Sequence, residues 1–515
     1  LTNLKGGSRL LRNRLTSYEE GAMNQRGFHQ PKSAWVGDVI PWQENGTFHL
    51  LYLHEARQMP KVGMPWHRVV TDNLVDFHDA GESLASGGPS AADFNVYTGS
   101  IVLDADGTHH VFYTGQNPDR RGADGQPLQV VMHATSGDGM QTWERHHADT
   151  FGATAGYETA DWRDPFVFWD EEANLWRMLI AARHAYGPER RRGVIAQCTS
   201  ADLTTWEPVE PFWDPRRYVA HECPEVFQWG EWWYLVYSEF SESFTTRYRM
   251  SRSLHGPWIV PEHDSLDGRA YYAAKSAARD GRRFFFGWVA SREGAHDAGA
   301  WQWAGTMSVL EAEQRPDGTL AFHPTAEMRS TFESATDAIP FGTILDAPDG
   351  YAQALSSLDA PSSFRLVARF DIASGTTECG VLLRATADGD ESYVLRLEPK
   401  RNRLVFDRWP RSLTGTEQWQ ISGDVPFAIE LERPCHLPSG PHELEVIIDG
   451  DLCIATVDDA VVLSTRLYDR PTGRVGVFVG EGSIAVEKLS LFSRSARHAS
   501  SDSSSLDLLT ASSTT

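Results

Sequence analysis

Five short runs dominated by aromatic and aliphatic residues recur along the first 330 residues: Phe48–His54 (FHLLYLH), His109–Gly115 (HHVFYTG), Leu175–Ala182 (LWRMLIAA), Trp232–Glu239 (WWYLVYSE) and Arg283–Ala290 (RFFFGWVA). Each is strand length and strand composition, and too short for a helix. A second element returns in step with them. It reads Thr71–Phe77, then Ser136–Trp143, Ser200–Trp206 and Ser251–Trp258: a polar turn, a leucine or glycine, and an aromatic three or four residues later. The starts of the aromatic runs lie 51 to 66 residues apart. That period exceeds most solenoid repeats and suits a four-stranded propeller blade with its loops. The pattern predicts a five-bladed β-propeller over residues 31–335.

About ten residues before each run lies another segment: Trp35–Trp42, Val96–Leu103, Asp161–Trp169, His221–Trp229 and Tyr271–Ala278. In blade order these are the inner strands that line a central channel. Three carry an acid near the start, Asp38, Asp164 and Glu222. A carboxylate entering an apolar strand is costly unless it is paired or used. The expectation is that the three occupy equivalent positions of three blades and converge on one mouth of the channel.

From residue 345 to 493 the pattern becomes short alternating strands: Phe364–Ile372, Gly380–Ala385, Tyr393–Glu398, Leu404–Trp409, Phe427–Leu431, Leu444–Ile448 and Val475–Val479. Turn signals such as Asp388-Gly389 and Asp449-Gly450 separate them. This predicts a C-terminal β-sandwich and an all-β protein. Residues 1–30 read as a polar N-terminal arm, and the Ser/Thr-rich stretch 494–515 as a disordered tail.

Composition narrows the function. Of 515 residues, 41% are hydrophobic and 23% charged, as in ordinary globular chains. The net charge of -23 repels phosphate backbones and argues against a nucleic-acid partner. No run of 18 apolar residues occurs, so no membrane-spanning helix is expected. The five cysteines are widely spaced and form no C-x-x-C, which gives no disulfide framework and no zinc site. No H-E-x-x-H, P-loop or Rossmann fingerprint is present, so neither a metal nor a cofactor is expected. The first 30 residues hold no apolar signal-peptide core, so a cytoplasmic location is expected, with secretion the alternative if a leader has been trimmed. The sandwich offers a surface for a homo-oligomer.

Carboxylates paired in a cleft are the minimum apparatus for cleaving a glycosidic bond: one acts as nucleophile or base, the other gives a proton to the leaving oxygen. Arg163, beside Asp164, can fork two hydrogen bonds onto sugar hydroxyls or hold a carboxylate ionised. Trp35, Trp303, Tyr97, Ser100 and Tyr272 fall near the expected rim as sugar-binding candidates, together with tryptophans 42, 66, 162 and 301. Lys275 is a further sugar-binding candidate, and a candidate partner for a site carboxylate.

These residues carry a resemblance. Arg163-Asp164-Pro165 and Glu222-Cys223-Pro224 resemble two signature motifs of glycoside hydrolase family 32, which contains invertases, inulinases, levanases and fructosyltransferases. Trp35-Val36-Gly37-Asp38-Val39-Ile40 falls where that family has W-M-N-D-P-N. Tyr97-Thr98-Gly99-Ser100 and Trp303-Ala304-Gly305 also look like family segments. The resemblance implies a propeller followed by a sandwich, and a retaining double displacement on a fructofuranosyl unit. It implies Asp38 as nucleophile, Glu222 as acid and then base, and Asp164 as stabiliser of the transition state. The departure is at the first motif: Gly37 stands in place of an asparagine, and Val39 and Ile40 in place of proline and asparagine. Transfer to a sugar acceptor, giving oligofructosides or a difructose anhydride, is the first alternative. An inverting arabinan-type glycosidase and an inactive carbohydrate-binding propeller are the others.

Overall fold

The structure is a computed structural model that describes residues 26–411 and 429–494. Most of the N-terminal arm, the Ser/Thr-rich tail and the first residues of the expected strand Phe427–Leu431 lie outside the described residues.

The first half is five antiparallel meanders. Blade 1 runs Trp35–Glu44, Thr47–Glu55, Trp66–Thr71 and His78–Leu84. Its first hairpin turns at Asn45-Gly46, where φ is 51° and 84°, the left-handed pair that a two-residue type I′ connection demands. Blade 2 is Asn95–Leu103, His109–Arg121 and Pro127–Ser136, with two short strands, Glu144–Arg145 and Phe151–Gly152, both paired to the third. Blade 3 is Tyr157–Asp170, Leu175–His184, Gly193–Ser200 and Glu207–Trp213. Blade 4 has three strands, Glu222–Trp229, Trp232–Glu239 and Thr245–Ser251, and two isolated bridges, Arg247 to Ser265 and Met250 to Ile259, on its outer edge. Blade 5 is Tyr271–Arg279, Arg282–Arg292, Trp301–Gln314 and Leu320–Pro324. The ring is closed by Phe28 and His29, which pair with Ser308 and Met307 of blade 5. The end of the expected arm is therefore part of the propeller.

The recurring polar turn has a physical basis. Thr71 Oγ1, Ser136 Oγ and Ser200 Oγ each accept the backbone N–H of an apolar residue, Leu74, Met140 and Leu203, at 2.9 Å. Those three residues are left-handed, with φ of 58°, 64° and 64°, and their side chains are buried. Asn73, Asp138 and Asp202 accept the next free N–H groups. The side-chain caps hold a strained turn so that one apolar plug enters the core.

After Leu320–Pro324 comes a single helical turn, Ala326–Arg329, capped by Thr325. Phe332–Asp337 already pairs with the last strand of the second domain, so the crossover precedes residue 335. That last strand, Arg474–Arg494, organises the sandwich. Its first part pairs with Glu378–Ala385 and its second with Ser363–Ile372, so one 21-residue strand belongs to both sheets. One sheet continues through Ser392–Glu398, Arg403–Trp409 and Leu431–Pro434. The other continues through Gly440–Asp449, Leu452–Val457 and Val461–Arg466. The apolar cluster that fills the sandwich runs on without a break into blades 4 and 5, from Phe364, Leu366 and Phe370 to Tyr248, Phe285 and Phe322.

Candidate active site

Each inner strand breaks register in its first half. Pairing skips Gly37-Asp38 in blade 1, Thr98 in blade 2, Asp164-Pro165 in blade 3, Cys223-Pro224 in blade 4 and Ala273-Ala274 in blade 5. Asp164, Cys223 and Ala273 are left-handed there, at φ 57°, 50° and 53°. An extra residue of this kind kinks a strand and re-aims its side chains. The acids do not occupy equivalent positions, contrary to the sequence expectation. Glu222 is the last paired residue before its bulge, Asp164 the first residue of its bulge, and Asp38 the second of its own. Bulging overrides strict alternation, so three different registers bring acids to one cavity.

That cavity has a volume of about 810 Å³ and is lined by Asp38, Asp164 and Glu222, with Arg163, Asp161, Gln129, Glu55 and Arg57 as the other main polar groups. Leu53, Met64, Tyr97, Phe240 and Trp303 supply apolar wall. Asp38 Oδ2 accepts the Thr98 hydroxyl, and Asp38 Oδ1 accepts Trp288 Nε1–H at 3.1 Å. Cys223 Sγ stands 3.6 Å from Asp38 Oδ2, and the Cys223 backbone N–H donates to Asp164 Oδ2 at 2.9 Å. Glu222 accepts Arg163 Nη2 at 3.1 Å on one oxygen and the Tyr272 hydroxyl at 2.6 Å on the other. Arg163 is itself fixed by Asp161 at 2.5 Å and Gln129 at 3.3 Å.

Burial pushes all three carboxyls above their ordinary range. At Asp38 the Thr98 and Trp288 hydrogen bonds oppose this, and the charge of Glu222 adds to it. At Asp164 and Glu222 the Arg163 guanidinium opposes it, while Asp38 and Asp164 respectively add to it. Burial alone would depress Arg163, but Glu222, Asp161 and Asp164 outweigh it and hold the guanidinium charged. Three buried acids that cannot all ionise cheaply together can hold and hand over a proton. Among the described residues no three His, Cys, Asp or Glu side chains are grouped to hold a metal ion.

Of the sugar-binding candidates, Arg163, Tyr97 and Trp303 line the cavity, and Trp303 is 38% exposed. Tyr272 stands behind Glu222 as its hydrogen-bond donor. Three expectations are corrected. Ser100 is buried and its hydroxyl accepts the Val167 N–H at 2.9 Å, so it joins blades 2 and 3. Trp35 does not line the cavity but packs its ring against the guanidinium of Arg57, 3.9 Å away, which does. Lys275 is 2% exposed and donates to Gly99 O at 2.6 Å, out of reach of a ligand. Trp66 and Trp162 are core residues, and Trp301 lies under Arg292. Sequence reasoning missed Thr98, Trp288 and Asp161. Thr98 lay inside a quoted motif, whereas Trp288 in FFFGWVA is indistinguishable from core by pattern.

Comparison with known proteins agrees with this geometry. Residues 29–324 match the model of the glycosyl hydrolases family 32 N-terminal domain. Sucrose-6-phosphate hydrolase of Escherichia coli is 28% identical over 324 residues, 59% of this chain and 65% of that protein. The chain thus spans just under two thirds of that relative's length. Levanase of Bacillus subtilis is 21% identical over 519 residues, covering 92% of this chain and 70% of the levanase. Among solved structures, exo-inulinase from Aspergillus awamori superposes with a TM-score of 0.71 at 18% identity, covering 92% of this chain and 99% of that one. Sucrose-6-phosphate hydrolase from Lactobacillus gasseri gives the same TM-score and identity over 95% of this chain and 97% of that one. These structures share the five-bladed propeller and sandwich architecture. With more than half its length matched by the family model, the chain belongs to glycosyl hydrolases family 32.

Proposed function

We propose that this protein is a retaining glycosidase that releases β-fructofuranosyl units from fructans, fructooligosaccharides or related fructosides. Asp38 attacks the anomeric carbon, Glu222 protonates the leaving oxygen and then deprotonates water, and Asp164 holds ring hydroxyls and offsets developing positive charge. The observation that carries the reading is the convergence of the three acids about Cys223. Its N–H binds Asp164, its sulfur touches Asp38, and it follows Glu222 directly. Retaining enzymes space the two carboxyls by about 5–5.5 Å, and inverting ones need about 6.5–9.5 Å to admit a water. Membership of glycosyl hydrolases family 32 supports the double displacement against the arabinan-type alternative. Three buried acids with their supporting donors are also more than a binding-only site requires.

The partners of each acid suit its role. Two neutral donors, Thr98 and Trp288, fix both oxygens of Asp38 and aim it. Glu222 keeps 23% of its side chain open to the cavity, where a leaving oxygen would arrive. Arg163 and Tyr272 fix its rotamer, and burial favours its protonated form. As the glycosidic bond breaks, the Glu222 proton passes to the leaving oxygen and the Asp38 oxygen bonds the anomeric carbon. Water, activated by Glu222, then displaces Asp38.

The test is product analysis on sucrose, sucrose 6-phosphate, inulin, levan and short difructosides, with arabinan as control. Free fructose, absent in a Glu222→Ala variant, is expected, and proton NMR of the first product should show the β-anomer. Larger fructosides without free fructose would assign a transferase on the same scaffold. Arabinose release or an inverted first product would overturn the proposal.

A further inference from the structure

Lys275 is a site candidate that the proposed chemistry does not use. It lies in the inner strand of blade 5, immediately after the Ala273-Ala274 bulge, and is 2% exposed. Its ammonium donates to the carbonyl of Gly99 in blade 2 at 2.6 Å, its only hydrogen bond among the described residues. Blades 5 and 2 are not neighbours in a five-bladed ring, so the side chain crosses the channel to reach its partner. Gly99 follows Thr98, whose hydroxyl holds Asp38. The Thr98 carbonyl accepts Thr114 Oγ1 at 3.1 Å, and that oxygen accepts the Asp164 N–H at 2.8 Å. A single buried cation thus anchors the bulge against which two of the three acids are set. An ammonium buried with one neutral acceptor is costly unless its charge is answered by nearby anions.

We propose that Lys275 is a positioning residue of this centre: it pins the blade 2 bulge that holds Asp38 and supplies the positive charge to which Asp38 and Asp164 answer. This rests on the reading of Asp38 as the nucleophile. The groups facing Asp38 are Thr98 and Tyr97 from blade 2, Asp164 from blade 3, Glu222 and Cys223 from blade 4, and Tyr272, Trp288 and Lys275 from blade 5. Arg57 and Lys61 also line the cavity, Lys61 standing 3.8 Å from Glu55, but Lys275 and Arg163 are the cations that act on the three acids, and they divide the work. Arg163 pairs directly with Glu222 and Asp161. Among the described residues Lys275 makes no salt bridge and acts through space, lowering Asp38 and Asp164. The other acid in its field, Glu225, is already held by Ser276 and faced by Arg283 at 3.8 Å. The nucleophile and the proton donor are thereby served by different cations, which keeps their titrations apart.

The test is the pH profile of kcat/KM for Lys275→Met, Lys275→Gln and Lys275→Arg. Loss of the charge should raise the acid limb, set by Asp38, by about one pH unit in the Met and Gln variants. The alkaline limb, set by Glu222, should move less, and Lys275→Arg should keep the wild-type acid limb. The Gln variant retains a donor for Gly99 and reports on charge alone if the Met variant does not fold. Unmoved limbs with a uniform loss of rate would make Lys275 a packing plug and overturn the proposal. A second readout needs no turnover. Asp38 has a raised folded-state pKa, so the native state holds its proton more tightly and stability falls as pH rises through that window. Removing Lys275 deepens that fall, so the melting temperature of Lys275→Met should drop increasingly below wild type from pH 4 to pH 7. An offset constant with pH would overturn the proposal, even in a protein that cleaves no fructoside.

Discussion

Gly37 shows how one residue beside the nucleophile shapes the cavity. A methyl group built there would stand 2.6 Å from Trp303 Cη2 and 2.9 Å from Leu53 Cβ. The indole that forms the cavity wall therefore lies against the backbone just before Asp38, in space that an asparagine side chain would occupy. The sequence departs from its family at Gly37, and the neighbour that fills the room is 266 positions away. Gly37→Ala should displace Trp303 and cost about tenfold in kcat/KM, with about 1–3 kcal/mol of stability lost to overpacking. Adding Trp303→Ala should shrink the cost of the alanine at 37 without abolishing it, because Leu53 remains. Kinetics and melting curves of the four proteins of that cycle measure the coupling, and strict additivity would refute the contact. Glu222 gives a second residue-scale prediction with a sign. Burial raises its pKa, so its contribution to stability is full at low pH and is lost as pH rises through the folded-state value. Glu222→Gln should lower turnover by about 10²–10⁴-fold. It should melt about 2 °C above wild type at pH 7 and level with it at pH 4. A lower melting temperature at pH 7 would mean that the Arg163 pair outweighs burial.

At the scale of the element, the propeller was legible because each blade repeats two signals with independent causes. The aromatic runs are the second strands of their blades, buried on both faces and hence nearly continuous in hydrophobicity. The polar turns recur because three of them solve the same problem, a left-handed apolar plug whose N–H needs a side-chain acceptor. Ser200→Ala removes the acceptor for Leu203 and should cost about 1 kcal/mol in chemical denaturation. Leu203→Gly relieves the left-handed strain but empties the core position, and should cost more. The bulges were not legible. A register break depends on the partner strand, and nothing local in Glu222-Cys223-Pro224 says that Glu222 pairs with Ser238 while Cys223 pairs with nothing. For the same reason Thr98 and Trp288 escaped notice. They reach Asp38 across 60 and 250 residues of chain from strands whose composition is that of core. Asp38, Asp164, Glu222 and Arg163 were legible because charged groups at the mouths of apolar strands are expensive and demand a reason.

For the whole molecule, the question is whether the sandwich is an appendage or part of one folding unit. Sequence pattern separates the two domains by a change of rhythm, yet the apolar core crosses between them. The polar contacts at the junction are buried too. Arg466 of the sandwich is almost fully enclosed, pairs with Asp451 at 2.7 Å, and donates to the carbonyls of Val289 and Ala290 and to Thr306 Oγ1, all at 2.8 Å. Those three acceptors are on blade 5. Arg433 reaches the carbonyls of Ser265 and Leu266, and Asp267 accepts both the backbone N–H and the hydroxyl of Ser464. Polar groups matched across a buried junction lose their partners together if one side unfolds, and each orphaned group costs about 1–3 kcal/mol. The two domains should therefore unfold as one unit, giving a single calorimetric transition whose van't Hoff and calorimetric enthalpies agree. Arg466→Met keeps the apolar stem but strands Asp451 and the blade 5 carbonyls. It should cost about 3–5 kcal/mol, lowering that single transition without splitting it. Two resolved transitions, with only one shifted by the substitution, would show that the propeller stands alone. The sandwich would then be dispensable for the geometry that blade 5, with Tyr272, Lys275 and Trp288, contributes to the acids.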